Sequence, residues 1–150
     1  MTAIYISGTR GGDLGKARTE LIERVSDFCI QKYRLGRFKA FVQIKVARSR
    51  KLMDDFAVGY SSMDKVETDS GYIKWGLIEL TNQNKKELVK TLIHEWTHIK
   101  QYLRGELSYD GRSWQGMDVS DVAYERQACE KEAYKMQEVL YKELVDLKLL

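Results

Sequence analysis

The chain has 150 residues, 43% hydrophobic and 31% charged, which is the composition of an ordinary globular protein large enough to bury one core. Its net charge is +3, and basic residues are interspersed with acidic ones, which argues against nucleic acid as the main partner. Nowhere do 18 apolar residues follow one another, so no membrane span is expected, and residues 1–150 read as a single domain.

Met1 to Arg10 lacks a basic flank leading into a long apolar run. No signal peptide is expected, and the expected setting is cytoplasmic. Residues 7–16, SGTRGGDLGK, invite comparison with a phosphate loop. Its first glycine would fall at Arg10 and its hydroxyl residue at Ala17, and no strand-like run is read before it, so phosphate binding is not expected. A turn feeding a helix, with Asp13 as N-cap, is the reading adopted.

Over residues 14–35, Leu14, Ala17, Leu21, Val25, Phe28 and Cys29 recur at helical spacing, and Gly36 is the expected stop. Residues 41–46 alternate at period two and are rich in β-branched side chains, which predicts a strand. The basic run Arg48, Arg50 and Lys51 then reads as a solvated loop. Residues 56–61 predict a second strand, Asp69-Ser70-Gly71 a turn, and residues 72–80 the third and strongest strand, with Gly76 as a bulge. Cys29 and Cys129 fall inside expected helices without C-x-x-C spacing, so they read as buried, reduced thiols.

Asn84 and Glu87 form a capping-box-like start to a central helix that Gly105 ends. Leu88, Leu92, Trp96, Ile99 and Leu103 make its apolar stripe. This helix carries both histidines of the chain, as His94-Glu95-Trp96-Thr97-His98. Residues four apart lie one above the other on a helix, so both imidazoles can reach one metal ion, the H-E-x-x-H arrangement. At about 100° per residue the apolar stripe centres roughly 140° from the histidines, which places core and metal on opposite sides. Glu95 lies beside the ion's position and is suited to take a proton from water rather than to ligate. Zn²⁺ is the expected ion, since it accepts imidazole and in catalytic sites takes three protein ligands plus an open position.

Residues 106–120 form a polar loop containing Tyr109, Asp110, Trp114 and Gly116, and a long helix is expected over 119–149. No third histidine exists, so the third ligand must be a carboxylate. Glu125 and Glu132 lie on one flank of the last helix, with Asp118 and Asp121 nearby, and periodicity does not choose among them.

His94 to Tyr102, Trp114-x-Gly116 and Tyr124-Glu125-Arg126-Gln127-Ala128 together resemble the small gluzincin-type metallopeptidases, the minigluzincins and related phage-borne H-E-x-x-H proteins. The resemblance covers about residues 40–140. It implies a zincin-like α+β fold: an N-terminal packing helix, a small three-stranded sheet, the H-E-x-x-H helix and a long C-terminal glutamate helix. It also implies Glu125 as third ligand, with Glu132 second, and a sheet edge at residues 72–80 that binds an extended peptide by strand addition. The implied activity is zinc-dependent hydrolysis of a peptide or protein substrate with Glu95 as general base. Tyr109 or Tyr124 would supply the oxyanion donor. The chain departs from many relatives in having no proline before the aromatic-Glu step, and it lacks the Asn-Glu-x-x-Asp form of the larger gluzincins. The alternative reading is a zinc-binding, non-proteolytic regulator or phage accessory protein that uses the same fold for interaction.

Overall fold

The computed structural model describes residues 2–8, 15–47 and 58–150. In chain order the elements are β1 (Thr2–Gly8), α1 (Lys16–Lys32), β2 (Ala40–Ala47), β3 (Gly59–Thr68), β4 (Gly71–Thr81), α2 (Lys85–Leu103), the short pair β5 (Ser113–Trp114) and β6 (Met117–Asp118), and α3 (Ala128–Asp146). A 3-10 turn, Tyr124–Arg126, precedes α3. The basic run Arg48, Arg50, Lys51, the expected cap Asp13 and most of the glycine-rich stretch lie outside the described residues. The fold is α+β, as expected, but its sheet is mixed and larger than the three strands read from the sequence.

The main sheet has four strands in the order β1-β2-β4-β3. β1, β2 and β4 are parallel and β3 is antiparallel to β4. β1 is the added strand, so a strand does precede the glycine-rich stretch. Its signal was the alternation of Thr2, Ile4 and Ile6, half-buried, with exposed Ala3 and Tyr5. β1 and β2 are joined through α1, the kind of crossover a parallel pair requires. β3 runs on to Thr68 and folds back through a short turn into β4, so the hairpin leaves β3 outermost. Tyr72–Leu80 is therefore not an edge. β4 is hydrogen-bonded on both sides, and among the described residues the unpaired edge beside α2 belongs to β3.

Gly76 makes no bulge, because the register passes through Val42↔Gly76 and Met63↔Gly76 without a break. A Cβ there would come within 3.1 Å of Met63 Cε and 3.2 Å of Ile99 Cδ1. The glycine thus lets α2 settle on the sheet. Val42, Ile44, Ile78 and Leu80 from the strands meet Ile22 and Val25 of α1 and Leu88, Leu92, Trp96 and Ile99 of α2, all buried. Trp96 closes the α1–α2 contact, and its indole N–H donates to Ser26 Oγ at 2.9 Å. α1 stops earlier than Gly36 because Arg34 takes the left-handed conformation, φ 55°.

α3 packs across α2. It begins at Ala128, not near Val119, because Gln127 is extended (φ −66°, ψ 138°) after the 3-10 turn. Cys29 and Cys129 are both free and buried. Among the described residues no helix is long and apolar enough to cross a membrane.

Candidate metal centre

α2 starts where Asn84 Oδ1 accepts the Glu87 amide at 2.9 Å, the expected cap. From that start the helical register carries His94 and His98 to one side, and α3 lies over them. Both histidines and Glu95 are consequently buried, not presented to open solvent. The His94 ring is held from behind by Gln137 Oε1, 2.9 Å from Nδ1, and the His98 ring by Gln101 Oε1, 2.8 Å from Nδ1. The Gln101 amide nitrogen donates to Cys129 O and to Glu132 Oε1, both at 3.0 Å. That leaves only its oxygen for His98, so Nδ1 carries a proton and Nε2 is the nitrogen turned to the centre, where it could coordinate. Gln137 is oriented the same way by donating to Glu138 Oε2 at 3.2 Å.

Both Nε2 atoms converge on Glu130. His94 Nε2 lies 2.9 Å from Oε1 and His98 Nε2 lies 2.8 Å from Oε2. The three ligand atoms lie within 4.8 Å of one another and all three residues are buried. Glu130 is the residue that sequence reading passed over. Glu125, on the 3-10 turn, is exposed and is not brought to the histidines. Glu132 turns away, taking Lys100 Nζ at 2.9 Å as well as Gln101. Asp118 binds back to Ser120 in its own turn, and Asp121 is exposed. The resemblance implied Glu125, and the late start of α3 leaves that residue on the 3-10 turn ahead of the helix. The missed signal was a glutamate on the buried seam itself, since Glu130, Ala133, Gln137, Leu140 and Leu144 follow at alternating three- and four-residue steps. A carboxylate in a core position needs a partner. The Glu-x-x-Ala spacing, read at Glu125–Ala128, also recurs at Glu130–Ala133.

The two tyrosines fare differently. Tyr124 reaches the centre, and its hydroxyl donates to Glu130 Oε1 at 2.8 Å. Burial of that hydroxyl and its bond to Glu130 push its pKa up, so it stays a donor. Tyr109 packs on Tyr102, ring centroids 6.1 Å apart, and is not brought to the histidines. Tyr134 is an addition, its ring edge-on to His94 with centroids 4.6 Å apart.

Glu95 is fixed by β3. Ser61 Oγ donates to Glu95 Oε1 at 2.8 Å. On the other side the strand backbone comes so close at Gly59 that a Cβ would sit 2.5 Å from Thr91 Cγ2 and 2.8 Å from Glu95 Oε2. Burial pushes the Glu95 pKa up, against the lowering pull of His98, His94 and the Ser61 bond. A carboxylate raised in this way is a stronger base once ionised.

Electrostatics distinguish Glu130 from Glu95. Burial works to raise the Glu130 carboxyl, but hydrogen bonds to His94 and His98 and the His98 charge hold it well below the usual carboxylate range. Burial works to lower His98, and the Glu130 hydrogen bond and charge outweigh it, so His98 holds its proton above the ordinary histidine range. Without a cation from elsewhere, the site supplies one by protonating an imidazole. Two imidazole nitrogens and one carboxylate, oriented by amide partners and aimed at one point, could hold a metal ion in that proton's place. A cleft of about 590 Å³ opens on the His94 side and one of about 200 Å³ on the His98 side. Gly59, Tyr60, Glu95 and Tyr124 line both, so the centre is reachable from either flank.

No family model, curated protein or solved structure matches this chain.

Proposed function

We propose that the protein is a zinc-dependent peptidase with a zincin-like fold, related in kind to the small gluzincin-type enzymes. The observation that carries this is the buried His94–His98–Glu130 group with Glu95 beside it, open to clefts on two sides. His94 Nε2, His98 Nε2 and the Glu130 carboxylate would hold the ion. Bound there, zinc supplies a Lewis acid that polarises a carbonyl and lowers the pKa of water towards about 7.

The remaining work falls to the chain's own groups. An extended peptide lies along the free edge of β3 by strand addition, which brings its backbone past Glu95. Glu95, steadied by Ser61, takes the proton of the attacking water and delivers it to the leaving amine. Tyr124 is the oxyanion donor of choice, since its hydroxyl is already at the centre and keeps its proton. Gln101 and Gln137 hold the imidazoles in the tautomer that leaves Nε2 open. Donor chemistry favours zinc over harder ions, because two of the three ligands are imidazoles.

Two measurements test the reading. Protein purified without added metal should carry about one equivalent of zinc. Glu95→Gln should keep that zinc and lose cleavage of a broad peptide library. Wild-type protein that binds zinc and cleaves nothing in the library would leave the non-proteolytic interaction module as the better account.

A further inference from the structure

Three tyrosines stand around the cleft beside His94. Tyr60 of β3, Tyr124 of the 3-10 turn and Tyr134 of α3 are 52%, 59% and 51% exposed, respectively, and all three line the same cavity. Tyrosine keeps its polar tip wet but usually withdraws its ring. These rings come from three separate elements, so no single amphipathic face explains their convergence. Two of them are anchored at the centre, Tyr124 by its bond to Glu130 and Tyr134 by its contact with His94. The third sits on the strand whose outer edge is unpaired among the described residues. Rigid rings with few torsions offer contact area at low entropic cost, which is why tyrosine recurs in binding surfaces.

Charges facing this cleft are unsuited to an acidic partner. Lys90, the cation among the described lining residues, is already bonded to Glu138 Oε1 at 2.7 Å and stands over the Tyr141 ring. Glu87 and Glu95 line the same space. Held by the rings and away from the ion's own open position, a side-chain carboxylate would be desolvated against aromatic faces, find no unpaired cation among the described lining residues and meet like charge.

We propose that the tyrosine rim selects extended peptides whose central side chains are aromatic or aliphatic, and turns away acidic ones. The assignment rests on the peptidase reading, because it names the substrate class of that same cleft. The rings supply apolar faces for those side chains, and the β3 edge supplies backbone partners that are indifferent to sequence.

The test uses full-length, zinc-loaded Glu95→Gln protein and fluorescent peptides of one neutral scaffold, with Phe-Leu or Asp-Asp at the two central positions. Binding is read by anisotropy. The Phe-Leu peptide should bind at least about tenfold more tightly than the Asp-Asp peptide. Tyr60→Ser and Tyr134→Ser should each weaken it by about fivefold with zinc content unchanged, and Tyr60→Phe should restore it. Equal affinity for the two peptides, or undiminished binding by both serine variants, overturns the proposal. If the preference holds but the wild type leaves the bound Phe-Leu peptide intact, the selectivity stands and the peptidase reading alone fails.

Discussion

Glu130 and Glu125 differ in one physical respect, which is where each side chain finds a partner. Glu130 is buried between two imidazoles and Glu125 faces solvent. Glu130→Ala should weaken zinc binding more than about 100-fold, beyond what loss of an outer hydrogen-bonding partner costs, and Glu125→Ala should leave it unchanged. Competition with a chromophoric chelator measures both. Gly59→Ala probes the opposite wall of the site. Its methyl would overlap Thr91 and Glu95, so it should destabilise the protein by about 1–3 kcal/mol in chemical denaturation. It should also lower peptide cleavage with zinc retained, because the clash moves the base and leaves the ligands in place. Retained cleavage in a stable Gly59→Ala protein would show that β3 does not position Glu95.

Elements with a strong repeating pattern were legible in the sequence, and contacts made between elements were not. α2 could be read in full, because Asn84 caps it, five apolar residues recur along it and the two histidines fall four apart. Asn84→Ala should cost about 1 kcal/mol of stability, measured by denaturant unfolding, since the Glu87 amide then loses its acceptor. α3 was legible as a helix but its start was not, because the chain from Val119 to Gln127 is polar enough for helix, turn or loop. The third ligand fell to Glu125 through the resemblance, since periodicity could not choose among the acidic residues of a helix whose start was unknown. β1 escaped notice for a different reason. Two half-buried isoleucines in a short N-terminal strand are a weak signal until β2 supplies the pairing. The same holds for the edge, since strength of pattern marks β4 as a strand but says nothing about how many neighbours it has.

At the scale of the molecule, the metal-free site makes stability depend on pH in a definite direction. The folded-state pKa of His98 is raised above its ordinary 6.5, so its contribution is fully present below that value and is lost as pH rises through the folded pKa. Glu95, raised above 4.5 by burial, acts in the same direction as pH climbs. Chelator-treated protein should thus lose thermal stability as pH increases above about 6.5. Zinc-loaded protein should not, because the metal replaces the proton. Thermal unfolding across pH with and without chelator decides this, and a metal-free protein that becomes steadily more stable above that pH would contradict it. The ligands also come from two distant parts of the chain. α3 is tied to α2 through Glu130, Gln137 and Glu138, so a bound ion would act as the pin of a clasp that keeps the final helix shut over the site. Without the pin that last segment would be held by its side-chain bonds and apolar seam alone, and would open to proteases more readily. Shortage of the metal would then remove the molecules themselves, and restoring it would help only those not yet degraded.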